Sequence, residues 1–133
     1  MRVTHPGLGS TTPDIDLRLD DATQLPDAHS AVLAWASSHR FAAEPAADVT
    51  QELLANGFAH GEAPVRLVCW HAADTLVVQV SDRGGVRIPP DAGRHRAANG
   101  GGMWRVRQVA DVVTTDTHGG ETSVRAYIPR VVN

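Results

Sequence analysis

The sequence predicts an α+β fold: a two-layer sandwich in which a mixed β-sheet carries about three helices on one face. Two patterns support this fold class. Short segments of alternating polar and apolar residues are separated by turn residues, which is typical of β-hairpins. Longer segments between them repeat apolar residues at helical spacing. The 133 residues, of which 42% are hydrophobic, are enough for one compact domain with a core.

Five segments are predicted to be strands. They span residues 14–19, 65–71, 75–82, 112–117 and 122–128. The first alternates clearly, because Ile15, Leu17 and Leu19 fall on one face. Only residues 72–74 separate the second strand from the third, so this pair is predicted to form a hairpin.

Three helices are expected between these strands, at residues 28–39, 45–61 and 103–110. Pro45 begins the second helix at a position that tolerates proline, and Gly61 ends it as a C-terminal cap. Residues 83–102 form a long irregular stretch, and loops of this length are usually functional. Residues 1–13 are expected to be a flexible tail, and residues 14–133 a single domain.

The composition excludes several classes of function. The net charge is -3 and the isoelectric point is near 6.1, so no electrostatic attraction to nucleic acid or to an anionic membrane is expected. No apolar run approaches the ~20 residues of a membrane span, and the N-terminus lacks the apolar core of a signal peptide. These features predict a cytoplasmic protein. The single cysteine, Cys69, lies in an apolar run and is expected to be a buried, inert thiol.

The second predicted helix mixes polar and apolar residues on one face. Its polar stripe, with a spacing of four, consists of Asp48, Glu52, Asn56 and His60. Leu53 falls in the same sector. Because a surface helix usually segregates its polar and apolar residues, this mixture indicates a cleft. The alternative is a partly buried amphipathic helix whose polar groups make structural hydrogen bonds.

Two residues of the stripe suit phosphate chemistry. The side-chain oxygen of Asn56 could ligate Mg²⁺ while phosphates supply further oxygens. Glu52, one turn earlier, could accept a proton from an attacking hydroxyl or water. The seven histidines are scattered, and none has zinc spacing relative to cysteines or carboxylates, so a histidine-based metal site is not expected.

An aspartate and a glycine follow at the end of the third predicted strand. Gly84 comes two residues after Asp82, and glycine lets the backbone approach a ligand closely. The Asp82 carboxylate accepts hydrogen bonds only, so it suits an amino group such as the exocyclic amine of adenine. The alternative for this segment alone is an ordinary Asp-Gly turn.

Glycines also precede the third predicted helix. Gly100, Gly101 and Gly102 expose backbone N–H groups, and the helix that begins at Met103 adds a positive partial charge. This combination suits phosphate binding. The segment is not a Walker A loop, since it lacks Gly-Lys-Ser/Thr, and it is not a Rossmann turn, since a loop precedes it. Residues 119–124 form a further glycine segment, which taken alone indicates a hairpin turn.

In chain order, these segments resemble the motifs of the GHKL ATPase superfamily, which includes gyrase, histidine-kinase and mismatch-repair ATPases. The matching elements are Glu52-x-x-x-Asn56 (N box), Ser81-Asp82-x-Gly84 (G1 box), Gly100-x-Gly102-Met103 (G2 box) and Gly120-x-Thr122-x-Val124 (terminal threonine element). The resemblance covers roughly residues 14–130. Within the superfamily, the chain is most similar to small, single-domain anti-sigma-factor serine kinases of actinobacterial type.

The resemblance implies a Bergerat-type fold that binds ATP with Mg²⁺. Asp82 would hold the adenine amine, Gly84 would let the base approach, and Thr122 would support the adenine end. Asn56 would ligate Mg²⁺, and Glu52 would be the catalytic base. The residues expected on the phosphate side are Gly100, Gly101, Gly102, Met103 and Arg96, the last in place of an arginine that sporulation-type kinases carry nearer the glycines.

The same resemblance implies protein partners. Kinases of this branch sequester a sigma factor and phosphorylate a serine or threonine on a small antagonist protein of the STAS type, and they are often homodimers. The alternative is a non-catalytic GHKL module that binds a partner with weak or no nucleotide binding. Two departures from the family pattern favour this alternative: Val86 replaces a usual glycine of the G1 box, and the short lid between the glycine clusters has no arginine immediately before Gly100. A third departure is Gly57, which replaces a usual alanine after Asn56.

Overall fold

The computed structural model describes residues 12–84 and 102–130, which form three α-helices and five β-strands. In chain order these are β1 (Ile15–Leu19), α1 (Leu25–Ser38), α2 (Ala43–His60), β2 (Val65–His71), β3 (Thr75–Asp82), α3 (Gly102–Val109), β4 (Val112–His118) and β5 (Glu121–Pro129). The predicted N-terminal tail and most of the irregular stretch at 83–102 lie outside the described residues.

Within these residues the strands form one sheet in the order β1-β2-β3-β5-β4, and every pairing is antiparallel. The predicted α+β sandwich is confirmed, but the sheet is antiparallel where a mixed one was expected. Tight turns explain the antiparallel pairing of β2 with β3 and of β4 with β5. Gly119 and Gly120 join β4 to β5 with φ angles of 59° and 80°, a conformation that glycine adopts without steric cost.

Capping residues set the start of α1. The helix begins at Leu25, ahead of the predicted start at residue 28. A short 3-10 turn precedes it, in which the Asp21 carboxylate accepts a hydrogen bond from the Thr23 N–H at 2.8 Å. The Gln24 side chain accepts one from the Asp21 N–H at 3.3 Å, which completes a capping box. Pro26 then occupies the first turn, where its missing N–H costs nothing.

The core lies between the helices and one face of the sheet. Along β3, Leu76, Val78 and Val80 are at most 2% exposed, as strand alternation requires for one buried face. Leu53 of α2 is equally buried in the same hydrophobic cluster. Asp82 is the next residue of β3 on the same face, so this row of apolar side chains ends in a carboxylate.

Gly57 allows α2 to lie close to the sheet. It is buried, and a β carbon there would lie 3.3 Å from Val65 Cγ1 and 3.6 Å from Val80 Cγ1. The atypical glycine therefore has a packing role, which offsets part of its low helix propensity.

The composition led to two predictions, one about the thiol of Cys69 and one about membrane-spanning helices. Cys69 is fully buried, and burial together with the charge of Asp14 raises the pKa of its thiol, so the thiol stays protonated at neutral pH. Among the helices of residues 12–84 and 102–130, none combines the length and the hydropathy needed to cross a bilayer.

Candidate functional site

A cleft lies between the second half of α2 and the adjacent ends of β3 and β5. Its walls are formed by Leu53, Asn56, Gly57, His60, Gly61, Val80, Asp82, Thr122 and Val124. Three residues predicted to bind nucleotide or its metal are in this set: Asn56, Asp82 and Thr122. They come from three separate segments of the chain, so the fold and not the local sequence brings them together.

Strand pairing places Asp82 beside Thr122. Asp82 is the last residue of β3, and Thr122 is its direct partner on β5. Both side chains point toward the helices and are buried, with exposed fractions of 9% and 2%. The Thr122 hydroxyl also lies 3.4 Å from the hydroxyl of Thr117 on β4. A carboxylate and a hydroxyl therefore sit side by side in the wall of the cleft.

Two glycines fix the position of the Asp82 carboxylate. The N–H of Gly84 donates a hydrogen bond of 2.8 Å to Asp82 Oδ1. A β carbon built on Gly61 would overlap this carboxylate, with Oδ2 at 2.6 Å and the other atoms nearer still. A β carbon on Gly84 would come 2.5 Å from the Gly61 Cα. The chain segments at the end of α2 and the end of β3 thus touch backbone to backbone around one buried carboxylate.

Gly61 caps α2 as predicted, but the need for glycine has a different cause. Its N–H donates to the carbonyl of Gly57 at 2.9 Å, which ends the helix. Its φ of -111° is one that any residue adopts, so the left-handed conformation of an ordinary glycine cap is not involved. The space that a side chain would need is taken by Asp82.

Two residues of the polar stripe on α2 contact different parts of the structure. Asn56 is half-buried in the cleft. Glu52 lies one turn earlier and turns toward α3, where Arg105 Nη1 donates to Glu52 Oε1 at 3.3 Å. The Glu52 side chain is 28% exposed, and it is outside the set of residues that line the cleft.

The predicted phosphate side is described only in part. Gly102 is the first residue of α3, and Met103 is half-buried against the main hydrophobic core. Arg96, Gly100 and Gly101 lie outside the described residues, so their role in binding phosphate stays a prediction.

The polar groups of the cleft suit a ligand that carries an amino group. A buried carboxylate accepts hydrogen bonds from an amino group, and the adjacent Thr122 hydroxyl both donates and accepts. The adjoining wall is apolar, because Leu53, Val80 and Val124 also line the cleft and Val80 and Val124 form the next cross-strand pair on that face. Concave sites with apolar walls and a few converging polar groups are typical of small-molecule binding.

Residues 19–128 match a family of proteins described as the histidine kinase-like ATPase domain. The chain belongs to this family. It is therefore a member of the GHKL superfamily, as the motifs predicted, and family membership indicates an ATP-binding domain.

Two solved histidine kinase structures align with the chain. The histidine kinase AdeS of Acinetobacter baumannii aligns with 87% of this chain and 68% of its own, at 10% sequence identity and a TM-score of 0.54. The histidine kinase domain of the E. coli osmosensor EnvZ aligns over 94% of both chains, at 13% identity and a TM-score of 0.49. At such identity, the likeness to AdeS shows the fold alone. Among curated proteins, none matches the sequence.

The donor set of the cleft fits the ATP of this histidine kinase-like ATPase family. The carboxylate of Asp82 beside the hydroxyl of Thr122 suits the amine of an adenine ring, and the Asn56 side-chain oxygen suits Mg²⁺. The contacts of these residues with adenine and with Mg²⁺ stay predictions.

Six residues of the cleft were not named as binding residues from the sequence: Leu53, Gly57, His60, Gly61, Val80 and Val124. A signal was present for three of them. His60 continues the stripe of Asn56 by one turn. Val80 and Val124 lie two residues from Asp82 and Thr122, and strand alternation puts such neighbours on one face.

Proposed function

We propose that the protein is an ATP-dependent serine/threonine kinase that binds a sigma factor and phosphorylates a small antagonist protein. The observation that supports nucleotide binding is the cleft in which Asn56, Asp82 and Thr122 converge on one side of a histidine kinase-like ATPase fold. The motif pattern that resembles anti-sigma-factor serine kinases supports the choice of partners.

The proposed binding role divides among three elements of the cleft. Asp82 accepts the hydrogen bond of the adenine amine, and Thr122 supports the same end of the base. Asn56 holds Mg²⁺ through its side-chain oxygen. When bound, ATP supplies the γ-phosphoryl group that is transferred.

In the proposed reaction Glu52 is the general base. A serine hydroxyl is a poor nucleophile until its proton is removed, and a carboxylate placed one helical turn from the Mg²⁺ ligand suits that task. Its position on α2, on the same stripe as Asn56, supports the proposal. For this step the Glu52 side chain has to leave Arg105, whose guanidinium it contacts at 3.3 Å.

That contact also favours a second function, a non-catalytic GHKL module that binds a partner without phosphorylating it. In such a module the Glu52 carboxylate has a structural role, joining α2 to α3 through Arg105. The α2–α3 junction would then be part of the surface that the partner recognises. This module predicts no phosphate transfer to any antagonist at saturating Mg-ATP.

Calorimetric titration with ATP and Mg²⁺ tests the nucleotide site. We expect micromolar binding by the wild type and a loss of at least about tenfold in Asp82→Asn, because an amide presents an N–H toward the adenine amine. Asp116→Asn is the matched control, because Asp116 is an exposed aspartate on β4, which is not adjacent to β3 in the sheet. Undetectable binding by the wild type, or equal binding by Asp82→Asn, would contradict the assignment of the cleft.

Phosphotransfer separates the two functions. With radiolabelled ATP and a STAS-type antagonist from the same genome, the kinase should label a serine or threonine of the antagonist. Glu52→Ala should abolish transfer and leave ATP affinity within a few fold, while Gln51→Ala, an exposed neighbour, should retain both. Transfer undiminished in Glu52→Ala would remove Glu52 from the mechanism. ATP binding without transfer to any candidate antagonist would favour the non-catalytic module.

A further inference from the structure

Three potential metal ligands meet at the end of the sheet opposite the cleft. Asp14 directly precedes β1, His39 is the residue that ends α1, and His71 is the last residue of β2. One ligand atom from each lies within 4.8 Å of the ligand atoms of the other two. Asp14 Oδ2 hydrogen-bonds to His71 Nδ1, and His39 Nε2 lies 3.9 Å from the same oxygen.

The backbone and a neighbouring side chain hold this cluster in place. The N–H of Asp14 donates to the carbonyl of Cys69 at 2.8 Å, which fixes it beside β2. Trp35 Nε1 donates to Asp14 Oδ2 at 2.9 Å and so orients the carboxylate. Arg130 Nη2 donates to the backbone carbonyl of His39 at 3.1 Å. Second contacts of this kind are what orient metal ligands in proteins.

We propose that Asp14, His39 and His71 form a binding site for Zn²⁺ or a similar transition-metal ion. Two imidazole nitrogens and one carboxylate oxygen are a donor set that zinc favours. Zinc sites with three protein ligands leave a fourth position for water or another molecule. The side chains of the three residues are 24%, 30% and 38% exposed, so the ion and a fourth ligand can reach them.

Metal binding requires a small rearrangement of the side chains. Zinc bonds of 2.0–2.2 Å place tetrahedral ligand atoms about 3.3 Å apart. His39 therefore has to approach the Asp14 oxygen slightly, and His71 has to release its short hydrogen bond. The two imidazole rings are stacked, with centroids 3.8 Å apart and planes at 23°. Because the lone pairs lie in the ring planes, one ring has to turn for both nitrogens to face a single ion.

This site is separate from the nucleotide cleft. His71 is paired with Leu76 near the start of β3, whereas Asp82 ends that strand. Six residues of extended chain separate the two ends, which is roughly 20 Å. The proposed ion would join the start of β1, the end of α1 and the end of β2, so its binding should stabilise the fold.

No sequence pattern indicated this cluster, because its three residues come from separate parts of the chain and have no local metal-binding spacing. The expectation that no histidine-based metal site exists rested on that spacing alone. Cys69 lies nearby in the sequence and is buried, but it is not one of the residues whose ligand atoms converge in this cluster.

Cobalt titration tests the proposal, since tetrahedral Co²⁺ absorbs visible light and replaces zinc in such sites. Chelator-treated protein without ATP should bind one Co²⁺, with an absorption spectrum that Zn²⁺ displaces and Mg²⁺ does not. Affinity should fall at least about tenfold in Asp14→Asn and in His39→Ala, as it does when metal-supporting groups are lost. His118→Ala, which removes an exposed histidine in the β4–β5 turn region, should bind normally.

Thermal unfolding provides a second readout. At a hundredfold excess of Zn²⁺ over Kd, the Tm of the wild type should rise by at least about 5 °C, and that of Asp14→Asn should rise by much less. Circular dichroism establishes that each variant is folded before titration. If Asp14→Asn or His39→Ala does not fold, His71→Ala replaces it, because His71 is the most exposed of the three residues. Absence of Co²⁺ binding, or binding that persists in the folded variants, would overturn the proposal and leave the cluster as a hydrogen-bonded group of one aspartate and two histidines.

Discussion

The Asp82 carboxylate occupies the space that a side chain on Gly61 would need. A β carbon at Gly61 would lie 2.6 Å from Asp82 Oδ2 and nearer still to the rest of the carboxylate. Residue 61 ends α2 and residue 82 ends β3, so this contact joins the two elements that form the walls of the cleft. The position of the Asp82 carboxylate, which is proposed to bind adenine, therefore depends on residue 61 having no side chain.

Gly61→Ala should disturb the cleft and destabilise the fold. Because the added methyl group would overlap a buried carboxylate, either Asp82 or the end of α2 has to move. Overpacking of this kind costs about 1–3 kcal/mol in the free energy of unfolding. ATP affinity should fall at least about tenfold, since the carboxylate leaves its position. Urea denaturation and calorimetric titration measure the two effects.

The matched control is Gly57→Ala, the same substitution one turn earlier on α2. There the new β carbon would lie 3.3 Å from Val65 Cγ1, a contact that a small shift relieves, and the helix gains propensity. We expect a change within about 1 kcal/mol in either direction. If Gly61→Ala were as stable as this control and bound ATP equally well, the contact with Asp82 would have no role in positioning the carboxylate.

Arg130 should contribute measurably to stability. Its guanidinium donates to the backbone carbonyls of Arg40 at 2.7 Å and of His39 and Ala73 at 3.1 Å, and it lies 4.0 Å from the centroid of the Phe41 ring. It thus joins the α1–α2 connection to the β2–β3 turn. Hydrogen bonds from a charged group are worth about 1.5–3 kcal/mol, so Arg130→Ala should cost about 2 kcal/mol in urea denaturation.

Two further variants test the cause of this loss. Arg130→Lys keeps the charge but loses the fork of donors, so it should recover only part of the stability. Arg18→Ala removes an exposed arginine that pairs with Asp20, and it should change stability by less than about 0.5 kcal/mol. A loss for Arg130→Ala as small as that of Arg18→Ala would show that its carbonyl contacts contribute nothing.

Acid should weaken the fold partly through Asp14. Partial burial raises the pKa of its carboxyl group, but the hydrogen bonds from His71 and Trp35 and the nearby His39 outweigh this, so the pKa lies below its usual 3.8. The ionised form is therefore favoured in the folded state. Its stabilising contribution is complete above the unfolded pKa and is lost as the pH falls through the lowered folded value.

We therefore expect the stability of Asp14→Asn to fall less steeply than that of the wild type below about pH 4. Urea denaturation of both proteins from pH 6 to pH 2, with chelator present, measures the difference. Asp111→Asn, which changes an exposed aspartate between α3 and β4, serves as control and should follow the wild type. Parallel curves for Asp14→Asn and the wild type would contradict the lowered pKa.

Much of the fold follows from local patterns. The bounds of β2 and β3 were predicted correctly, because two apolar segments flank the tight connection at residues 72–74. The start of α1 was missed because a capped 3-10 turn, and not an apolar repeat, leads into the helix. Antiparallel pairing of β3 with β5 is a long-range arrangement that local patterns do not specify.

Sequence motifs indicated candidate binding residues where the residue types suit a ligand. They did not indicate contacts that depend on the three-dimensional arrangement of the chain. Asp82 and Asn56 were identified because their residue types suit an amine and Mg²⁺. The reason for Gly61 could not be read from the sequence, since its partner is distant along the chain. The same holds for the contact of Glu52 with Arg105, which is 53 residues away and belongs to a helix that packs across α2.

The contact between Glu52 and Arg105 should contribute little to the free energy of unfolding, although Glu52 is the proposed catalytic base. The Arg105 side chain is 58% exposed and the distance to Glu52 is 3.3 Å, so solvent screens the attraction. A double-mutant cycle with Glu52→Gln and Arg105→Gln should give a coupling of at most about 1 kcal/mol in urea denaturation. Such a weak pair is released at little cost, which the kinase function requires of Glu52. A coupling above about 2 kcal/mol would instead favour a fixed structural link between α2 and α3 and thus the non-catalytic module.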